Sequence, residues 1–522
     1  MQQFHEAMVP TQREQAPGTV KNNGGGYSFA VDKWGRLDRF LVLGTEGGTY
    51  YATERTLTRE NAAAVAECIA EDAARTVARV VEISVTGRAP KNDPALFALA
   101  MALVAGSPDA RAAIPQVARI GTHLFHLAQY YKGLGGKWGR ANRNAFAKWY
   151  TGRPAEALAY QAVKYQQRDG WSHRDLLRLS HPKATGSEQE VLHWIAKGWE
   201  DVGIEPHPDQ ALRKIWAFER AKAADRKELI HLIADHGLPH ECVPNEAKGD
   251  PDVWAAMLPT MGLGALVRNL GKLSAVGLAK PLSAATKTIC DALGDADAIK
   301  KARLHPVSIL VALKTYASGH GIKGSLSWKP VQQIATALDR AFYLAFKAVE
   351  PTGKRTMLCL DVSGSMSGSA IAGMPLTARE ASGAMALVTA NVESQHTMVA
   401  FSNGLIGLNV NPGASLMSFC NDISRLPFSA TDCALPFLYA KQAKLDVDSF
   451  VVYTDSETNR NSVHPAKALR NYRQASGINA KLTVVAMSSA GFTIADPNDA
   501  GMLDCVGFDT ATPSIIADFS RG

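Results

Sequence analysis

Five oxygen-bearing side chains define the first chemistry open to this chain of 522 residues. Asp361, Ser363 and Ser365 form a DxSxS run directly after the short apolar stretch Thr356 to Leu360. Thr431 follows well downstream, and Asp455 closes a second apolar run, Phe450 to Tyr453. Both runs read as parallel strands covered on both faces, each ended by an aspartate. Hydroxyls and carboxylates gathered at the carboxyl edge of one sheet are hard ligands. They suit a divalent cation such as Mg²⁺, which takes octahedral oxygen coordination and keeps part of its water. Open α/β sheets place ligands at that edge.

A second constellation lies between Ala162 and Lys183, the densest run of basic and polar residues. Lys164 and Arg168 are four apart and read as sharing a face at the end of a helix. Gly170 reads as the stop of that helix. Ser172 suits an N-cap, with Asp175 three residues on. A helix N-terminus flanked by Lys164, Arg168, His173, Arg174 and Arg178 would suit phosphate oxygens. Trp171, Leu176, Leu177 and Leu179 in the same stretch read as packing residues.

The elements that must position these groups divide the chain in two. From about Leu57 to Phe346 the pattern is helical, with more than ten short helices separated by turns such as Gly87 to Pro90, Gly152 to Pro154 and Gly237 to Pro239. The periodicity predicts helices over 57–85, 94–104, 115–132, 140–150, 155–166, 174–179, 188–201, 209–223, 225–236, 251–270, 284–293, 305–316 and 331–349. Such a run suits antiparallel helix pairs stacked as an α-solenoid. After Glu350 the reading alternates: strands at 356–360, 396–401, 449–453 and 481–486, an edge strand at 405–410, and helices at 376–393, 433–444, 464–476 and 513–520. That alternation means a doubly wound sheet. Residues 1–26 are polar and end in Asn22-Asn-Gly-Gly-Gly26, a flexible lead-in. The division is therefore 1–26, a helical domain over 27–350, and an α/β domain over 351–522.

Composition narrows the classes. Hydrophobic residues make up 46% and charged residues 20%, as in a globular protein with ample cores, and no apolar run is long enough to span a membrane. The polar N-terminus lacks the apolar region of a secretory signal. Seven cysteines are scattered without a CxxC pair, which argues against a disulfide framework or zinc site and for a reducing cytoplasm. Net charge is +7, yet from Pro351 onward there are 12 basic against 14 acidic residues. All the positive excess lies in the helical part, which points toward a polyanion partner.

DxSxS with a later Thr and a later Asp resembles the metal-ion-dependent adhesion site of von Willebrand factor A domains. The resemblance implies that Ser363, Ser365 and Thr431 bind the metal directly, with Asp361 and Asp455 acting mostly through water. One position would stay open for solvent or a partner's carboxylate. Ser429-Ala430 stands where relatives often have Gly-Gly. The Ala162 to Lys183 segment resembles the TROVE module of Ro-type RNA-binding proteins. Phe40 to Tyr51, Ile120 to Phe125, Lys137 to Arg140, Arg268 to Lys272, Thr454 to Thr458, Gly491 to Pro497 and Gly501 to Asp504 extend the match along nearly the whole chain. The resemblance implies a ring of HEAT-like helical pairs closed by an A domain. Its outer basic surface would bind small non-coding Y RNA, and its central hole would take 3′ ends of misfolded RNAs. Lys164, Arg168 and His181 match the family's RNA-contacting positions, with Arg174 and Arg178 as helpers. His181 could stack on a base or bond a phosphate. Lys137, Arg140, Arg143, Arg268 and Lys272 are further candidates, although exposed helices carry such charges anyway. His123, His126, His231, His236, His305 and His320 read as structural or surface histidines. Bacterial relatives work beside exoribonucleases such as polynucleotide phosphorylase, so such a partner is expected for a monomeric protein in a ribonucleoprotein.

Three functions compete on this reading. The first is a non-catalytic RNA-binding scaffold in RNA quality control. The second is a metal-dependent nuclease, which would need several carboxylates around paired ions, whereas this site offers mainly hydroxyls. The third is a protein-adhesion module acting through the metal, with the helices as spacer.

Overall fold

The computed structural model describes residues 10–44, 54–200, 202–322, 324–346, 349–368, 375–409, 415–427 and 429–522. Helices dominate up to Leu344, and an open sheet follows. The sheet has six strands in the order Met502–Val506, Lys481–Ala486, Ser449–Thr454, Thr356–Asp361, His396–Phe401, Leu405–Leu408. All neighbours run parallel except the last pair, which is antiparallel. Every residue of Thr356–Asp361 and Ser449–Thr454 is buried, as parallel strands covered on both faces require.

Strand periodicity links the two halves. Leu358 and Leu360 join one buried cluster that continues into the helical layer through residues such as Val307 and Phe342. Met357 and Cys359 face the other way, into a second cluster with Phe437, Phe450 and Phe29. One face of the sheet thus serves as core for the helices.

The helical layer closes on itself. Arg303 Nε donates to the Val85 carbonyl (2.7 Å) and His305 Nε2 reaches the carbonyls of Arg88 (3.1 Å) and Phe508 (2.7 Å). Arg88 in turn pairs with Asp509, Lys314 with Glu380, and Arg39 with Asp504, so the α/β domain bolts the closure.

Several sequence-based expectations need correction. Residues 10–30 are no flexible lead-in: Thr19–Lys21 and Tyr27–Ala30 pair antiparallel, and the latter also pairs with Phe492–Thr493 of the α/β domain. Residues 1–9 lie outside the described residues, as do Thr45 to Tyr51 and Val410. A helix at Lys33–Leu43, capped by Asp32, was not anticipated. The span read as 115–132 is two helices, Pro108–Val117 and Gly121–Gly133, because the chain leaves helical geometry at Ala118 to Ile120 and Gly121 opens the second helix. A Cβ there would lie 2.7 Å from that of Tyr165 and 3.0 Å from His173 Nε2, so only glycine allows the crossing. The span 251–270 divides into Pro251–Met257 and Leu263–Ala275. The helix Ala296–Ala302 and the strand Met502–Val506 carry no periodic signal strong enough to separate them from loops, whereas the helix Leu416–Arg425 does carry one, since Leu416, Phe419, Cys420 and Ile423 repeat at three and four residues and form its buried face.

Candidate nucleic-acid interface and candidate metal centre

The basic segment folds differently from its spacing. The helix Ala155–Lys164 ends at Lys164, and Arg168 sits on a two-residue strand, Gln167–Arg168, paired with Trp171–Ser172. Asp169 (φ 53°) and Gly170 (φ 76°) form the tight turn between them, so Gly170 closes a hairpin and stops no helix. Lys164 and Arg168 therefore do not share a helical face. Lys164 donates to Tyr160 Oη (3.1 Å) and lies over the rings of Tyr160 and Tyr165, at 5.4 and 5.5 Å. Burial opposes its charge, but Tyr165 and Tyr160 more than compensate, and the ammonium is held above its usual range. Arg168 is 62% exposed.

Ser172 does cap the helix His173–Ser180: its side chain accepts from Asp175 N while Asp175 accepts from Ser172 N. Arg174 and Arg178 are exposed on this helix, and exposed His181 caps its end in the left-handed region (φ 48°). His173 is buried instead, stacked on Trp149 and hydrogen-bonded to Tyr150 Oη; burial pushes it down to about 4. Lys137, Arg140 and Arg143 are exposed around the N-terminus of Arg140–Thr151. Trp138 contacts Trp171 (6.3 Å between rings), which draws that group beside the Arg168 hairpin, and Lys132 lies over Trp171 at 5.6 Å.

Arg268 and Lys272 belong to a different place. They line a cavity of about 890 Å³ together with Lys91, Arg119, Arg303, His123, His305 and Trp328. The walls come from residues 83–95, 119–123, 264–272 and 302–328, so the cavity lies where early and late helices of the layer meet. Burial, with Arg303 nearby, pushes Arg119 down to about 10. Tyr165, the neighbour of Lys164, packs against Gly121, the residue after the wall residue Ile120. Sequence reading missed Arg119, Arg303, Lys91 and Trp328, and it read His123 and His305 as unrelated histidines. No spacing could have joined them, since they come from four distant stretches.

All five candidate metal ligands do converge. Asp361, Ser363, Ser365 and Asp455 are buried at the carboxyl ends of the strands Thr356–Asp361 and Ser449–Thr454, and buried Thr431 is tied to the same edge by its carbonyl, which accepts from Asn459 N (3.1 Å). Ser363 Oγ and Ser365 Oγ are 3.0 Å apart, and Thr454 Oγ1 donates to Asp361 Oδ2 (2.6 Å). Burial, reinforced by Asp455, pushes Asp361 up to about 7. Thr431 Oγ1 and Asp455 Oδ2 are buried with no hydrogen-bond partner. Two orphaned oxygens beside paired hydroxyls, all hard donors, fit a divalent cation of the Mg²⁺ type. The cation would supply positive charge to carboxylates that are costly to bury ionised. Neither Ser429 nor Ala430 has a positive φ, so this loop does not need the glycines common in relatives, and Ser429 O accepts from Gly364 N (3.2 Å).

A helical layer closed around a cation-lined cavity, carried on an A-type sheet with a hydroxyl-rich edge, is the layout of a TROVE protein. The TROVE domain model matches residues 20–235 and 239–354, and the Ro60 vWA domain model matches residues 355–520. The chain belongs to this Ro60 family. It is 40% identical over 513 residues to the "RNA-binding protein RO60" of Deinococcus radiodurans, spanning 96% of this chain and 95% of that relative. It is 34% identical over 594 aligned residues to the Caenorhabditis elegans protein of the same name, spanning 98% and 92%. The crystal structure of the Deinococcus radiodurans RO (RSR) protein superposes with a TM-score of 0.68 at 39% identity, covering 94% of this chain and all of that one.

Proposed function

We propose that the chain is a non-catalytic RNA-binding protein of RNA quality control. It forms a monomeric ribonucleoprotein with Y RNA in the cytoplasm and works beside an exoribonuclease of the polynucleotide phosphorylase type. The observation that carries this reading is the two-part distribution of cations. Arg119, Arg268, Lys272 and Arg303 converge on one partly open cavity. Separately, Lys137, Arg140, Arg143, Arg168, Arg174 and Arg178 are exposed on neighbouring outer elements. The outer set suits the phosphates of a folded RNA, and the cavity suits an unpaired 3′ end gripped by charge and by Trp328. The names of the relatives support RNA as the ligand. Against a nuclease, the oxygen-rich edge offers mainly hydroxyls beside the two carboxylates Asp361 and Asp455, where paired-metal hydrolysis needs several carboxylates.

The sheet edge favours a second, compatible role for the A domain. A divalent cation held by Ser363, Ser365 and Thr431 would offer a partner's carboxylate a coordination position. The RNA assignment is tested by Arg168→Ala with Arg174→Ala, which should weaken Y RNA binding about tenfold or more if two phosphate contacts are lost. Gel-shift titration at fixed salt measures this, and unchanged affinity refutes the outer-face assignment. Incubating labelled RNA with purified protein and Mg²⁺ tests the absence of catalysis: full-length RNA should persist.

A further inference from the structure

We infer that the N-terminal segment, residues 10–30, is a working part of the candidate metal centre, and that Gln12 is the residue that positions Thr431. This rests on the metal reading above.

Gln12 is fully buried although it precedes the helical domain and lies more than four hundred positions from its partners. Its Nε2 donates to Asp432 Oδ1 (2.6 Å), Ser462 Oγ (2.7 Å) and the Val463 carbonyl (3.2 Å). Its Oε1 accepts from Thr458 Oγ1 and from Arg460 N (3.1 Å). One amide therefore joins the residue after Thr431 to the loop after Asp455. That junction is the meeting line of the two segments that must present Thr431 and Asp455 to one ion.

The rest of the segment grips the same loop. Ser28 Oγ donates to the Ser456 carbonyl (2.8 Å), and Asn22 Nδ2 donates to the Thr458 carbonyl (2.9 Å). Ser456, next to Asp455, holds a left-handed backbone (φ 62°), a conformation that costs a serine free energy and needs such support. Gly26 lies so close to the Thr458 carbonyl that any Cβ would collide with it. Across the junction, Asn459 N donates to the Thr431 carbonyl (3.1 Å) and Cys433 N to Thr458 Oγ1 (3.2 Å). Buried hydrogen bonds of this kind, gathered on both ends of the Gln12 amide, favour one arrangement of the two loops. Gln12 touches no metal ligand side chain, so its action is through position alone.

Linkage then demands the reverse effect: a cation that favours this loop arrangement must also tighten residues 10–30. The probe is Mn²⁺, which takes octahedral oxygen ligands as Mg²⁺ does. Free Mn²⁺ is followed by electron paramagnetic resonance on the full chain, comparing wild type, Ser363→Ala and Gln12→Met. Methionine keeps the volume of glutamine and removes its hydrogen bonds. Affinity should fall tenfold or more in Gln12→Met, with circular dichroism and RNA affinity unchanged. Hydrogen exchange of residues 10–30 should slow on adding Mn²⁺ to wild type and not in Ser363→Ala. Ser28→Ala, a milder change that leaves Gln12 in place, should lower affinity severalfold and covers the case where Gln12→Met fails to fold. If wild type binds Mn²⁺, Ser363→Ala does not, and both N-terminal variants bind as wild type, the inference is overturned and the metal centre stands. If wild type itself takes up no Mn²⁺, the metal reading falls and the inference with it.

Discussion

Arg88→Met tests whether the helical closure and the α/β domain form one cooperative unit. The Arg88 side chain is 12% exposed and Asp509 only 3%. Burial works against the guanidinium, but the bonds to Asp509 outweigh it and Arg88 is held above its usual range. Arg88 Nε donates to both carboxylate oxygens at 2.9 Å and Nη2 adds a third bond. Methionine keeps most of the aliphatic stem and strands Asp509, whose described hydrogen bond from Ala511 N (2.9 Å) cannot neutralise it. Breaking a buried pair by removing one partner costs about 3–5 kcal/mol, whereas the half-exposed Glu82 contact adds at most about 1 kcal/mol. If the 522 residues melt together, an unfolding entropy of roughly 2.1 cal/mol/K per residue turns that cost into a Tm drop of about 3–5 °C. If the α/β domain melts alone, the same cost gives roughly 10 °C in its own transition. Scanning calorimetry at pH 7 separates the two outcomes. Adding Asp509→Asn removes the stranded charge, keeps the acceptor for Ala511 N, and should recover more than half of the loss. A single-mutant shift below about 1 °C, or a double mutant less stable than the single, refutes the claim that this pair bolts the closure.

Arg268→Ala with Lys272→Ala should reduce affinity for a single-stranded 3′ tail about tenfold and flatten its salt dependence, while leaving stem binding to the outer face intact; competition gel shifts with tailed and blunt stem-loops measure this. His305 is fully buried and burial pushes it down to about 4. An unfolded histidine titrates near 6.5, so the folded chain takes up fewer protons between these values and stability is lost as pH falls from about 6.5 to 4. The loss from this group is about 3 kcal/mol. His305→Asn keeps an acceptor for Val307 N and should remove that part of the pH dependence in denaturant titrations at pH 7 and pH 4.5.

Some of this molecule was legible residue by residue. The strands Thr356–Asp361 and Ser449–Thr454 announce themselves as short apolar runs ended by aspartate, and all five hydroxyl and carboxylate positions at their edge converge as that pattern implies. The Ser172 cap was equally readable, because a cap and its partner lie three residues apart. The Lys164–Arg168 pair was not: a four-residue spacing means one face only if the helix continues, and the Asp169-Gly170 turn folds the chain back first.

What the sequence determined by itself was local: the helix and strand periods, the oxygen-rich edge, and the excess of positive charge before Pro351. Only the tertiary structure decided that Arg119, Arg268, Lys272 and Arg303 face one cavity, that Arg88 and His305 close it, and that Gln12 completes the edge of a domain beginning over three hundred residues later. The reason is physical. Period and capping act over one or two turns of chain and leave a trace in spacing. Contacts between distant segments are chosen by which apolar faces can be buried together, and spacing along the chain carries no record of that choice.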